Sequence, residues 1–328
     1  MNRMVLLPVL LAAVGAVGLA AGTHLQHRAV RLGAMHRDPA SQPRPNARIP
    51  DGLLQMWRSP LWLLGGAVIV GATALNVVAL GLAPISVVQP VGALALVVAA
   101  VISAGSSGLR ITRGLASGIA LTVLAVVAFV LVSAGFTRDA HPADAQVLQL
   151  SVALGAGIVA GGLVAVSRAG HLSRVVTAGM MYGAVAAAMH VVAVEGVAIL
   201  HRNGAGTLGD HGARAIAPGA MWALIALLGA AALVGLWLVQ TAYASGPPET
   251  VLAGLPVLDP LVAVGVGVLL LGEYAPLPPI ALLGLVTSGG AAAAGILLIA
   301  HHHPGFAPAP AASTRHDAVG VAPQNRRS

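Results

Sequence analysis

The 328-residue chain is 57% hydrophobic and 8% charged, with a mean hydropathy of +0.89, against roughly 25% charged residues in a soluble domain, so a water-soluble fold is excluded. Its net charge is +7, but the basic residues are spread through membrane loops without an aromatic-interleaved patch, which excludes nucleic acid as a partner. The chain has no cysteine, so disulfides, thiolate catalysis and Cys-based metal sites are ruled out. All 17 basic residues are arginine, a usage that fits a GC-rich coding bias.

Apolar stretches of about 20 residues recur along the chain, each long enough to cross a hydrocarbon core of roughly 30 Å. Backbone in lipid must satisfy its own polar groups, so these stretches are expected to be helices. Nine spans are predicted, over residues 4–22, 60–83, 84–104, 114–134, 146–167, 174–200, 217–240, 248–272 and 277–300. The first has the basic start and the small residues near Ala20 and Ala21 of a cleavable leader. Arg28, Arg31 and Arg37 follow it closely, the wrong charge order for an exported terminus, so the span is read as retained. Residues 24–58 form a cytoplasmic linker, flexible over 36–50 where Pro39, Pro43, Pro45 and Pro50 fall. Residues 301–328, rich in Ala and Pro, read as a disordered tail.

Orientation follows from arginine, which cytoplasmic loops retain during insertion. With the amino terminus outside, 13 of the 17 lie on the cytoplasmic side: six in 24–58, then Arg110, Arg113, Arg168, Arg174, Arg315, Arg326 and Arg327. The expected location is the cell membrane, multi-pass, with a cytoplasmic carboxyl terminus. Trp57, Trp62, Trp222 and Trp237 fall where interfacial anchors should.

Residues 60–88 return 164 positions later. Leu63-Leu64-Gly65-Gly66-Ala67 reappears as Leu227-Leu228-Gly229-Ala230-Ala231, Asn76 as Gln240, and Pro84-Ile85-Ser86-Val87 as Pro248-Glu249-Thr250-Val251. The polar and proline positions carry the match, because apolar identities are cheap in such a chain. The copies fall on the second and seventh spans, an odd offset of five, so they run antiparallel, as in inverted-repeat carriers. The chain divides into a first repeat over 1–135 (helices 1–4 and the linker), an inverted second repeat over 145–300 (helices 5–9) and the tail. The expected fold class is an all-α polytopic bundle of about nine transmembrane helices.

Of the ten carboxylates, Glu195 and Asp259 fall well inside spans. A carboxylate at bilayer depth faces a bundle interior or cavity, where it can bind a cation or carry a proton. Asp259 can also be purely structural, bonding backbone groups freed by Pro256 and Pro260, and Glu195 can reach interfacial water. His190 is five residues from Glu195, on another helix face, and reads as a lone core histidine. Pro84 and Pro90 in the third span, and Pro248, Pro256 and Pro260 in the eighth, remove backbone donors and are expected to break both helices at matched places. Broken helices in matched positions point to a binding site, which Asn76, Ser86, Gln89, Gln240, Thr250, Asp259 and Glu195 could line; the two acids are the metal-ligand candidates. Gly114-x3-Gly118, Gly157-x3-Gly161 and Gly179-x3-Gly183 allow close helix approach. His301-His302-His303 reads as a solvated run. No nucleotide loop, His-Glu-x-x-His or nucleophile elbow occurs, so no enzyme and no cofactor are expected.

Leu258-Asp259-Pro260-Leu261-Val262-Ala263-Val264, continuing to Leu270-Leu271-Gly272-Glu273, resembles the late helix of the drug/metabolite transporter superfamily. Leu25-Gln26-His27-Arg28, Asn76, Ala83-Pro84 and Val88-Gln89-Pro90-Val91-Gly92-Ala93-Leu94 resemble its NIPA-type magnesium transporter branch. One departure stands out: Gly105-Ser106-Ser107-Gly108 occupies the place where the first half should carry an acidic counterpart of Gly272-Glu273. The resemblance implies an alternating-access transporter of a small solute or divalent cation such as Mg²⁺, with proton coupling open; an exporter of small organic metabolites or drugs is the alternative. A non-transporting scaffold that recruits partners or anionic lipid is the rival of a different class. The partners expected are the lipid bilayer and the solute or cation, with a homodimer left open.

Overall fold

A computed structural model describes residues 3–35, 59–106, 111–138, 142–204, 216–274 and 276–302. The expected flexible linker over 36–50, Trp57, and the tail from His303 onward lie outside the described residues. The described elements are helices: α1 (Arg3–Met35), α2 (Pro60–Leu82), α3 (Ile85–Gly92), α4 (Leu94–Ser106), α5 (Arg113–Phe136), α6 (Asp144–Val166), α7 (His171–Gly204), α8 (Pro218–Ser245), α9 (Pro248–Leu269) and α10 (Pro279–His302). One isolated antiparallel bridge joins Thr137 to Tyr274. Helices α3 and α4 together make one span, so nine stretches among the described residues are long and apolar enough to cross a membrane. Val70, Leu124, Leu148 and Val286 point outward, each more than three-fifths exposed, a surface suited to lipid rather than water. The chain is a multi-pass membrane protein whose regular elements, among the described residues, are all helices.

Local sequence explains where the helices begin. Ser59 caps α2, its hydroxyl accepting from Trp62 N at 3.4 Å with Pro60 in the first turn, and Thr112 caps α5 through Leu115 N at 3.2 Å. Helix α1 runs well past the expected end at residue 22, with a membrane-length portion over Val5–Leu32. Residues 23–35 contain no proline, and α2 supplies a partner surface: a Cβ on Gly65 would sit 2.8 Å from both the Gly22 carbonyl and Gln26 Cγ. Small residues therefore bring α1 and α2 together almost backbone to backbone.

The neighbours repeat along the chain. Helix α1 packs on α2 and on the α3–α4 span, α7 packs on α8 and α9, and α5 and α10 pack on each other. Helix α6 lies behind α7 and α8. Several crossings use glycine: a Cβ on Gly118 would meet Ile299 N at 2.9 Å, and one on Gly183 would lie 2.7 Å from the Asp259 carbonyl. Gly183→Ala is expected to lift α9 off α7 at a cost of about 1–3 kcal/mol. The check is thermal melting in detergent, and an unchanged midpoint would contradict this packing.

Candidate functional site

Proline sets the site up by removing donors. Pro84 has no N–H for the Leu80 carbonyl four residues back, and Pro90 has none for Ser86. Inside a membrane such carbonyls need protein partners. Both have one: His190 Nδ1 of α7 lies 2.7 Å from Leu80 O, and Ser133 Oγ of α5 donates to Ser86 O at 3.2 Å. The chain breaks between α2 and α3, with Pro84 as the residue preceding α3, and a second irregularity at Ala93 separates α3 from α4.

The break also leaves free N–H groups at the start of α3. Glu273 takes them. Its carboxylate accepts from Ile85 N at 2.7 Å, from Ser86 N at 3.1 Å and from the Ser86 hydroxyl. His190 Nε2 stands 3.3 Å from Glu273 Oε1. Glu273, Ser86, Ser133 and His190 are all buried. A negative group at a helix N-terminus is favoured by the oriented peptide dipoles, more so when shielded from water.

Two glycines bring Glu273 to that position. Helix α9 ends at Leu269, and Gly272 adopts φ +65°, a conformation glycine reaches at little cost. The chain thereby turns back, with Glu273 N donating to Gly267 O at 3.0 Å. Gly267 leaves the space the carboxylate occupies, since a Cβ there would come 2.7 Å from Glu273 Oε2. Arg138 N donates to Glu273 O at 2.6 Å, and Gln146 Nε2 donates to Leu270 O at 3.0 Å. The Tyr274 hydroxyl lies 2.6 Å from Ser133 Oγ. Because the Ser133 proton is committed to Ser86 O, Tyr274 is the donor in that pair. Burial raises the Tyr274 phenol above its ordinary pKa, which keeps that proton in place. Ser133→Ala would strand the Ser86 carbonyl and remove one of the partners of the Tyr274 hydroxyl, with an expected loss of about 1–3 kcal/mol. Chemical denaturation of wild type and variant checks it.

One turn further along α3, Gln89 Nε2 donates to Asp259 Oδ1 of α9 at 3.2 Å. The pair is partly buried and joins the third span to the eighth. An apolar pocket lies beside it, lined by Pro90, Phe129, Pro256, Pro260, Val264 and Ile296 among others. It opens between α9, α5 and α10, whereas the Asp259 backbone contacts Gly183 of α7.

The remaining candidates are scattered. Asn76 faces α1, where a Cβ on Gly15 would meet its backbone N at 3.7 Å. Gln240 is exposed on the outside of α8, so the two amides that mark the repeat do not meet in a site. Thr250 stands nine residues before Asp259, about 13 Å along α9. Glu195 is half-buried and twelve residues beyond Gly183, where α7 crosses Asp259, so about 18 Å of helix separates it from that level. Among the described residues no three His, Asp or Glu side chains gather as a metal site. His302 turns back onto Leu298 O at 3.0 Å.

Two expectations need correction. Pro256 and Pro260 do not break the eighth span: α9 is continuous from Pro248 to Leu269, and Pro248 begins it. Proline in the first turn removes donors that are unpaired anyway, so Pro248 starts the helix without disturbing it. His190 is also not a lone core histidine but the partner of Glu273, and it sits with Ser133 and Tyr274 in a cluster that spacing along one helix could not reveal. The available signal was chemical: carbonyls freed by Pro84 and Pro90 must find donors.

Compared with protein-family models, with curated proteins and with solved structures, the chain has no match.

Proposed function

We propose that the protein is a carrier that moves a small organic solute, bearing a cationic or hydrogen-bond-donating group, across the cell membrane by alternating access. The Gln89–Asp259 bond carries this reading: it is a polar pair within the bundle, spanning the two helices that the sequence repeat relates. Carriers of inverted-repeat build place their sites where broken helices meet between the halves. The recurring set of helix neighbours supports two related halves, and the resemblance to drug/metabolite transporters belongs to the same proposal. In this reading the amino terminus and the Glu273 end of the bundle face outside.

Asp259 offers one carboxylate and Gln89 one amide, a donor set suited to an ammonium or hydroxyl group. The adjoining pocket suits an apolar portion of the same solute. Mg²⁺ takes near-octahedral oxygen ligation, and Glu195 lies too far along α7 to join Asp259 in supplying it. The decisive experiment is a flux screen in proteoliposomes over organic cations, neutral metabolites and Mg²⁺. Saturable flux of an organic cation is expected. Flux of Mg²⁺ alone would overturn the solute class, and flux no greater than in empty liposomes for every solute would overturn the carrier reading.

A further inference from the structure

The hydrogen bonds around His190 leave a proton unaccounted for. Leu80 O can only accept, so Nδ1 of His190 carries a hydrogen. In a neutral imidazole Nε2 would then be an acceptor, and it stands 3.3 Å from Glu273 Oε1, also an acceptor when ionised. Two buried acceptors at that separation repel. Either Nε2 or the carboxyl must therefore hold a second proton, and Ile85 N and the two Ser86 donors already fill other positions on the carboxylate.

We infer that His190 and Glu273 together form a proton-binding site, distinct from the solute contact at Asp259, whose loading decides whether the first turn of α3 is docked. Loaded, the pair is neutral overall, as imidazolium with carboxylate or imidazole with carboxylic acid. Unloaded, the proton has passed to water, Nδ1 keeps its hydrogen, Nε2 has a bare lone pair, and the site carries one negative charge. The repulsion then pushes Glu273 away from His190 and loosens the cap on Ile85 and Ser86. Gln89 is three residues beyond Ser86, about 4.5 Å along the same short helix, so undocking α3 draws Gln89 away from Asp259. Proton occupancy and the solute contact are thereby tied through one rigid element.

Few other charges surround the pair. Helices α2 and α3 carry no titratable residue, nor do residues 5–13 of α1 that run alongside. On α5 the only one is Arg113, at the opposite end. Tyr274 is close enough to feel the Glu273 charge and donates its proton to Ser133. Arg138 and Asp144 are exposed, Tyr182 and Glu195 are eight and five residues from His190 along α7, and Asp259 bonds Gln89.

The coupling clause rests on the carrier reading, and two measurements on the full chain separate them. In lipid nanodiscs, hydrogen exchange at Ile85 and Ser86, corrected for its intrinsic rise with pH, is expected to accelerate from mildly acidic to mildly alkaline conditions in wild type. In Glu273→Gln and His190→Gln that extra response disappears. Corrected protection that does not change with pH in wild type overturns the proton site, whether or not the variants fold. In proteoliposomes, a pH difference of one unit with one proton per solute should set an accumulation ratio of about tenfold in wild type, inverted when the gradient is inverted. Wild-type flux indifferent to the gradient overturns the coupling, whereas no flux of any solute overturns only the carrier reading and leaves the exchange result to judge the proton site.

Discussion

Replacing Glu273 by alanine is expected to cost about 3–5 kcal/mol, the scale seen when one partner of a buried charged pair is removed. The size follows from what is left behind. Ile85 N, Ser86 N and the Ser86 hydroxyl lose their common acceptor, and His190 keeps a hydrogen on Nδ1 for Leu80 with nothing opposite Nε2. Water cannot fill in easily, because Glu273 is completely buried. The N-terminal turn of α3 should fray, which limited proteolysis and exchange over residues 83–93 would detect. Glu273→Asp should lose nearly as much, since a side chain shorter by one methylene no longer reaches both N–H groups from position 273. Wild-type stability in either variant would mean that the carboxylate does not hold the break.

Asp259→Asn is expected to act in the opposite way, sparing the fold and removing the transport. The amide keeps an oxygen for Gln89 Nε2 and has almost the same shape, so thermal melting should move by no more than the equivalent of about 1 kcal/mol. The solute, by contrast, loses its only nearby formal charge in that pair. Removing one side of a desolvated charged contact costs roughly 2–5 kcal/mol, or at least about 25-fold in apparent affinity. Flux of an organic cation at sub-saturating concentration should therefore fall by at least about 25-fold while the protein still folds. Undiminished flux in Asp259→Asn would make the residue a structural brace between α3 and α9. Together the two variants separate the cap from the contact, because Glu273→Ala acts through folding of α3 and Asp259→Asn acts without it.

Much of the architecture was legible in the chain because lipid imposes a one-dimensional rule. An apolar run of sufficient length must become a helix, so all nine spans were readable from hydropathy, with errors only at ends such as the extension of α1 to Met35. That α7 can be approached closely was signalled by Gly179 and Gly183, since spacing along one helix places both on one face, but that α9 is the helix that approaches was not. The proposed solute contact was half visible: Gln89 and Asp259 were singled out because they were polar where polarity is costly.

What the chain alone determined was which segments enter the membrane and which positions in them are chemically expensive. Which of those positions meet was decided only by the tertiary structure. Asn76 and Gln240 are equivalent in the repeat yet turn to different surroundings, because a helix face is set by its neighbours and not by its own pattern. Glu273 looked like a loop residue at the end of a span until the turn at Gly272 folded it onto Gly267, beneath α3 and against His190. Proline made the demand locally by deleting donors at residues 84 and 90, but the groups that meet it come from α5, α7 and the turn after α9. Hydrogen bonding across such sequence separations is a property of packing, and no periodicity along the chain encodes it.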